Sequence, residues 1–477
     1  MRIPPRRGVR RGGTDWCTVL SVVGLLGLSS VGISSAGPVA SPTTILTGFQ
    51  SHIDHIVLLT QENHAYDNYF GLYCPVTGPY CPSAAAGIPA GTCVPKTPMT
   101  PSNGCIVPFN LSKTKFAPPD MPHGWNSTHQ AWNNGSMNGF LGAEGRVQTF
   151  GHYTPSEIPV YYDLAEQYAL ADNFFSSAAT YSLPNHWFQW GSSSPDISNV
   201  IMPENDPSVP VKHLYLNQSN ATPTLEDQLI NSSISWKYYD YKLSPYTSAI
   251  RALYPAGNAY NFWNPLAARA QSYSSTVRTH FVDRTSFFAD AANGTLPSLS
   301  WVIPSTADSD HPPADIRSGQ SWVASVVDAV EASPEWNSTL LMITWDEYGG
   351  YYDHVAPPLR DLVGDGFRVP LLLVSPWVRQ GAVDHHAMDF GSILRLMEKR
   401  FGFACLGPRD CAASLPLGSF NFGGAHPRAP IMIEPFANAT YPMPLQSSGK
   451  LPRFQSDRVP PATGLTADTP FLPGWED

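Results

Sequence analysis

Two short stretches of this 477-residue chain place acids directly behind apolar runs. The run His55 to Thr60 passes straight into Gln61-Glu62-Asn63-His64, which sets a carboxylate beside an amide oxygen. The run Thr339 to Trp345 delivers Asp346-Glu347, followed by Gly349-Gly350 and Asp353-His354. Oxygen donors in such a setting suit a divalent cation. Taken singly, Glu62 reads equally well as an ion-paired residue, and Asp346 and Glu347 as caps of the following turn. Taken together, neither pair has a Lys or Arg within several residues. Three acids at the ends of buried strands need a positive partner, and one shared cation is the simplest.

A hydroxyl and three imidazoles complete the set. In Thr180-Tyr181-Ser182-Leu183-Pro184-Asn185-His186, a serine just ahead of a Pro-Asn turn can be held ready as a nucleophile. Its alkoxide forms readily beside a metal ion, because a lone serine is a weak nucleophile at neutral pH. Thr180 is the competing hydroxyl, and an ordinary turn serine is the plainer alternative. His123 in Met121-Pro122-His123-Gly124-Trp125, His311 in Asp308-Ser309-Asp310-His311-Pro312-Pro313, and His354 are able to bind phosphoryl oxygens or protonate a leaving group. A lone loop histidine more often serves a turn or faces water.

Elements must bring these runs together. Short apolar runs bounded by polar or turn residues predict strands at His55 to Thr60, Leu299 to Pro304, Thr339 to Trp345 and Val369 to Ser375, of the buried, parallel kind. Apolar spacings of three and four predict helices over Ile158 to Ala171, Gln320 to Ala332 and Met388 to Phe401. Alternating strands and helices imply an α/β sheet flanked by helices, with ligands at the carboxyl ends of its strands. Pro75 to Pro118 and Ser192 to Thr224 read as insertions into a catalytic domain spanning 50–435, and residues 436–477 as a Pro-rich tail.

The bulk composition fits an exported protein. Charged residues make up 14% of the chain and its net charge is -10, which argues against a nucleic-acid partner, since Lys and Arg cluster only at the extreme N-terminus. Arg2, Arg6, Arg7, Arg10 and Arg11 precede an apolar stretch from Val19 to Val31 and small residues at Ser34, Ala36 and Ala40. Residues 1–40 thus read as a signal peptide, since the stretch is short and interrupted for a membrane anchor, its rival. Beyond Cys17 lie six cysteines: Cys405 and Cys411 close a short loop, and Cys74, Cys81, Cys93 and Cys105 staple the first insertion. A zinc site is the alternative for the latter four, although no His or acid interleaves with them. Sequons at Asn110, Asn126, Asn134, Asn217, Asn220, Asn231, Asn293, Asn337 and Asn438 agree with a glycosylated, extracellular or cell-surface chain.

The ordered motifs carry a resemblance. Gln61-Glu62-Asn63 with Tyr66-Asp67 and Tyr69-Phe70-Gly71, Ser182-x-Pro-Asn, Asp310-His311-Pro-Pro with Gly319, and Asp346-Glu347-x-Gly-Gly-x-x-Asp353-His354-Val-x-Pro-Pro resemble the phosphoesterase family of bacterial-type phospholipases C and acid phosphatases. Arg368-Val369-Pro370, Ser375-Pro376-Trp377 and Glu398-Lys399-Arg400-Phe401-Gly402 continue it, so that it spans His52 to Phe403. The resemblance implies an alkaline-phosphatase-like fold, a central mixed, mostly parallel β-sheet with helices on both faces. It implies one divalent metal ion on Glu62, Asn63, Asp346 and Glu347, with calcium, magnesium, manganese, iron and zinc all compatible. It implies Ser182 as nucleophile, where many relatives have Thr, and His123, His311 and His354 as phosphate-binding or acid/base residues.

The same resemblance implies a phosphate ester substrate, either a phosphomonoester or a phospholipid, and is compatible with peripheral membrane contact. The insertions would decide between the two by shaping the pocket walls. Two positions depart from the pattern: His186 stands where relatives commonly have Arg, and Asp389-Phe390-Gly391-Ser392 lacks a His found in many of them. A sulfatase-like hydrolase is a rival reading, weakened because His186 occupies the Arg position of that motif. A non-catalytic glycosylated surface or lipid-binding protein is another, and it requires the intact acids to be vestigial.

Overall fold

Residues 55–61, His-Ile-Val-Leu-Leu-Thr-Gln, are apolar and β-branched enough to be covered on both sides, and from Ile56 onward each is buried. They form strand β1 at the heart of an eight-stranded sheet. The computed structural model describes residues 41–73, 86–98, 101–111, 116–195, 219–240, 263–361, 363–423 and 428–433. The other strands are β2 (Ala169–Ala171), β3 (Trp236–Asp240), β4 (Phe281–Asp283), β5 (Leu299–Val302), β6 (Thr339–Trp345), β7 (Leu371–Val374) and β8 (Ala382–Asp384). Their order across the sheet is β8-β2-β7-β6-β1-β5-β3-β4. Ile56 stands opposite Leu299 on one side and Leu340 on the other, and Leu59 opposite Val302 and Ile343.

All pairings are parallel except those of β7, which runs against both β6 and β2. The sheet is therefore mixed and mostly parallel, as the resemblance implies, while the apolar run at 369–375 differs from its expected parallel direction. A short buried run fits either direction, so its composition does not set one.

Strands β1, β5, β6 and β7 are buried almost throughout, which requires cover on both faces. Helices supply it: α1 (Pro42–His52), α2 (Tyr66–Phe70), α3 (Trp125–Trp132), α4 (Pro159–Gln167), α5 (Ser182–Phe188), α6 (Ser286–Asn293), α7 (Ile316–Glu331) and α8 (Phe390–Phe401). Helix α7 packs with α4 and α6, and α8 with α1 and α5. Asp315 caps α7 by accepting from Arg317 N at 3.0 Å, and the helix buries Val323, Ala324, Val326, Val327 and Val330. Each such valine contributes on the order of 1.5–3 kcal/mol through burial. Asp389 and Ser392 form a capping box for α8, which stops at Gly402.

The predicted helix over 158–171 is two elements. It ends at Tyr168, and Ala169–Ala171 continues as β2, paired with β7 and β8. Two disulfides close the expected loops, Cys93–Cys105 and Cys405–Cys411. Cys74 and Cys81, residues 1–40 that the sequence reads as a signal peptide, most of 192–224 and residues 436–477 lie outside the described residues.

Candidate active site

The central strands β6, β1 and β5 end side by side and in the same direction, so the residues just past each of them share one edge of the sheet. Glu62 and Asn63 come after β1, Asp346 and Glu347 after β6, and the loop carrying Asp308, Asp310 and His311 after β5. Asn63 adopts a left-handed backbone, φ 63°, and donates its N–H to Asp346 Oδ1 at 2.9 Å, which ties the two strand ends together. Gly349 is dictated by the same corner: with φ 61°, a Cβ there would lie 2.1 Å from the Asn63 carbonyl oxygen.

Ser182 opens α5 and is buried. Its Oγ donates to Asn63 Oδ1 at 3.4 Å. The loop ahead of it is clamped by one side chain, Asn185. Its Oδ1 accepts from Ala178 N at 2.9 Å, and its Nδ2 donates to the carbonyls of Ala178, Thr180 and Tyr181 at 3.0–3.2 Å. This is the physical content of the Pro-Asn signal after Ser182. Thr180, the rival hydroxyl, is also buried, and among the described residues its Oγ1 has no hydrogen-bond partner. Asp389 holds the same loop by accepting from Ser177 Oγ at 3.1 Å and from Arg409 at 2.7 Å. Phe390, in the position of the missing His, packs edge-on against Phe174.

Electrostatically the strand ends are unbalanced. Glu62, Asp346 and Glu347 are wholly buried, and among the described residues no Lys or Arg pairs with any of them. Glu62 Oε2, Asp346 Oδ2 and Glu347 Oε1 have no hydrogen-bond partner among the described residues. Burial, then the Asp346 charge, hold the Glu62 and Glu347 carboxyls well above the usual carboxylate range. Buried oxygens orphaned in this way fit a cation, which would supply the positive counter-charge that these acids lack among the described residues.

Two of the three expected histidines join this cluster. His123 Nδ1 lies 2.6 Å from the Met121 carbonyl, and its Nε2 lies 3.4 Å from Asn63 Nδ2 and 3.8 Å from Glu347 Oε1. His311 Nδ1 lies 2.6 Å from the Pro312 carbonyl, and its ring stands 6.2 Å from that of His123, centre to centre. Burial lowers the His311 pKa. His354 sits in a separate cluster. Its Nδ1 is 2.7 Å from Asp67 Oδ2, and Arg368 bridges Asp67 and Asp353 at 2.9 Å each. Burial pulls His354 down, but its bond to Asp67 and the charges of Asp67 and Asp353 outweigh it, so its pKa is raised.

Three residues without an assigned role in the sequence lie in or against the cluster. Asp120 comes within 4.8 Å of His123 and His311 through its ligand atom. His186 Nε2 is 2.9 Å from Glu62 Oε1, and burial lowers its pKa to about 4. Asp310, also left-handed at φ 69°, accepts from Tyr161 at 2.6 Å, Tyr69 at 3.0 Å and Trp345 at 3.3 Å, so it anchors the loop of His311. The four-residue spacing from Ser182 to His186 on a helix is the signal that places both on one face.

The pattern that defines the Phosphoesterase family matches residues 53–404. The chain belongs to that family. It is a hydrolase of phosphoric ester bonds, and phosphate esters are its substrates. It is similar to phospholipase C B of Mycobacterium tuberculosis, 28% identical over 86% of this chain and 87% of that protein. It is likewise similar to the non-hemolytic phospholipase C of Burkholderia pseudomallei, 28% identical over 76% of this chain and 57% of that protein. Non-specific phospholipase C6 of Arabidopsis thaliana is 28% identical over 70% and 64%. Among solved structures, a protein in the alkaline phosphatase superfamily from Vibrio parahaemolyticus aligns with 64% of this chain and 75% of its own, at 13% identity and TM-score 0.34.

Proposed function

We propose that this phosphoesterase is a secreted, metal-dependent enzyme of the phospholipase C or acid phosphatase type that works through a phosphoseryl intermediate on Ser182. The observation that carries the reading is the set of three orphaned, buried carboxylate oxygens on Glu62, Asp346 and Glu347 beside the Ser182–Asn63 contact. Glu62, Asn63, Asp346 and Glu347 would hold one divalent cation, which would offset their charge, ease ionisation of the serine hydroxyl and polarise phosphoryl oxygens.

The chain's own groups do the rest. Ser182 Oγ gives up its proton to solvent and attacks phosphorus in line, the bond from phosphorus to the ester oxygen breaks, and the leaving alcohol departs with a proton from a histidine. Of the three histidines named for that role, His123 and His311 lie at the strand-end cluster, whereas His354 is held by Asp67 in a cluster of its own. His123, His311 and the Asn63 amide stabilise charge on the equatorial oxygens. Water then attacks the phosphoserine and passes its proton to the same histidine, while Ser182 Oγ leaves phosphorus and recovers a proton from solvent. Export is supported by the two disulfides and by the surface position of the seven described sequon asparagines, from Asn110 to Asn337.

Hydrolysis of p-nitrophenyl phosphate, p-nitrophenyl phosphorylcholine and p-nitrophenyl sulfate, with and without chelator, tests the reading. The expected outcome is chelator-sensitive turnover of a phosphate ester, which falls by about three orders of magnitude or more in Ser182→Ala. Turnover of the sulfate alone would point to a sulfatase, and turnover retained in Ser182→Ala would move the nucleophile to Thr180.

A further inference from the structure

One buried side chain of the cluster is left without a role by this mechanism. His186 lies on α5 four residues after Ser182, so both project from one face of the helix toward β1. Ser182 meets Asn63 there, and His186 meets Glu62 at 2.9 Å. One donor atom each from Glu62, His186 and Asp346 fall within 4.8 Å of one another. All three residues are buried, and Glu62 and Asp346 each keep a second oxygen without a hydrogen-bond partner among the described residues. A histidine that merely donated to Glu62 Oε1 would leave both of those oxygens unsatisfied. An imidazole and two carboxylates converging in a buried space form a mixed nitrogen and oxygen donor set.

We infer that His186 is a direct ligand of the cation, joining Glu62 and Asp346 through its ring nitrogen. The inference rests on the metal reading above and narrows it. Four oxygen-donating side chains alone suit calcium, magnesium or manganese, whereas an imidazole shifts preference toward zinc or iron. The chain then differs from relatives with Arg at this position in the class of metal it selects.

The full-length protein, stripped with chelator, is titrated calorimetrically with Zn2+ and with Ca2+, and the Mn2+-loaded protein is examined by pulsed electron paramagnetic resonance for 14N coupling. Wild type is expected to show a directly bound nitrogen and to favour Zn2+ over Ca2+. In His186→Gln the coupling is expected to vanish while Mn2+ still binds, and the Zn2+/Ca2+ preference to fall about tenfold or more. Circular dichroism confirms the fold, and His186→Asn replaces the Gln variant should that one fail to fold.

A wild-type spectrum without coupled nitrogen, or a coupling that persists in the variant, overturns the His186 assignment. Asp346→Asn separates this failure from that of the underlying reading. If wild type binds metal and Asp346→Asn does not, the site stands and His186 alone is wrong. If wild type binds no metal at all, both fall.

Discussion

Arg368 illustrates how much of this site depends on charge held away from water. Its guanidinium is fully buried and pairs with Asp67 and Asp353, which are themselves buried, while it lies over the ring of Tyr66. Replacing it with Met leaves two acids without a counter-charge. Arg368→Met is therefore expected to lose about 3–5 kcal/mol of stability in urea denaturation, far more than a surface pair would cost. Glu398 shows the opposite case. Burial and the neighbouring Asp410 carboxyl raise its pKa from an ordinary 4.5 to about 8, against the pull of Arg395 at 2.9 Å. A carboxyl raised on folding favours the fold while protonated, so this stability is present below the ordinary value and drains as pH rises toward about 8. Scanning calorimetry should find Glu398→Gln close to wild type at pH near 5 and more stable than wild type near 9; an equal offset at both pH values would refute the assignment.

At the scale of elements, Gly349 is the position where a methyl group should do most harm. Its left-handed backbone and its closeness to the Asn63 carbonyl leave no room, so Gly349→Ala should push apart the ends of β1 and β6. Phosphoesterase turnover is expected to fall by about a hundredfold or more even where circular dichroism is unchanged, because a displacement of about 1 Å in a catalytic group costs that much. The runs that end in Glu62-Asn63 and Asp346-Glu347 were legible in the sequence because a continuous apolar strand followed by acids is a strong local pattern. The strands Ala169–Ala171, Phe281–Asp283 and Ala382–Asp384 were not, being three residues each and fixed by their neighbours rather than by their own composition. Nor was the pairing of His186 with Glu62, 124 residues apart, since spacing sets a helix face and only the tertiary fold decides what that face meets.

For the whole molecule, a cation that binds the folded chain and not the unfolded one must stabilise it. At a free concentration about a hundred times the dissociation constant the gain is about 2.7 kcal/mol, so thermal unfolding should shift upward with added metal and downward with chelator. No shift with any divalent cation would remove the metal from the proposed mechanism. Among the described residues no helix is long and apolar enough to cross a membrane. The reversed direction of β7 has one further effect. Its neighbours finish at the acid-rich rim, whereas β7 begins there, and Arg368 stands three residues ahead of its first residue, Leu371. A four-residue strand is about 13 Å long, so turning it round would carry that guanidinium to the opposite rim. The lone backward strand thus sorts charge, letting carboxylates leave the sheet where a cationic group enters it.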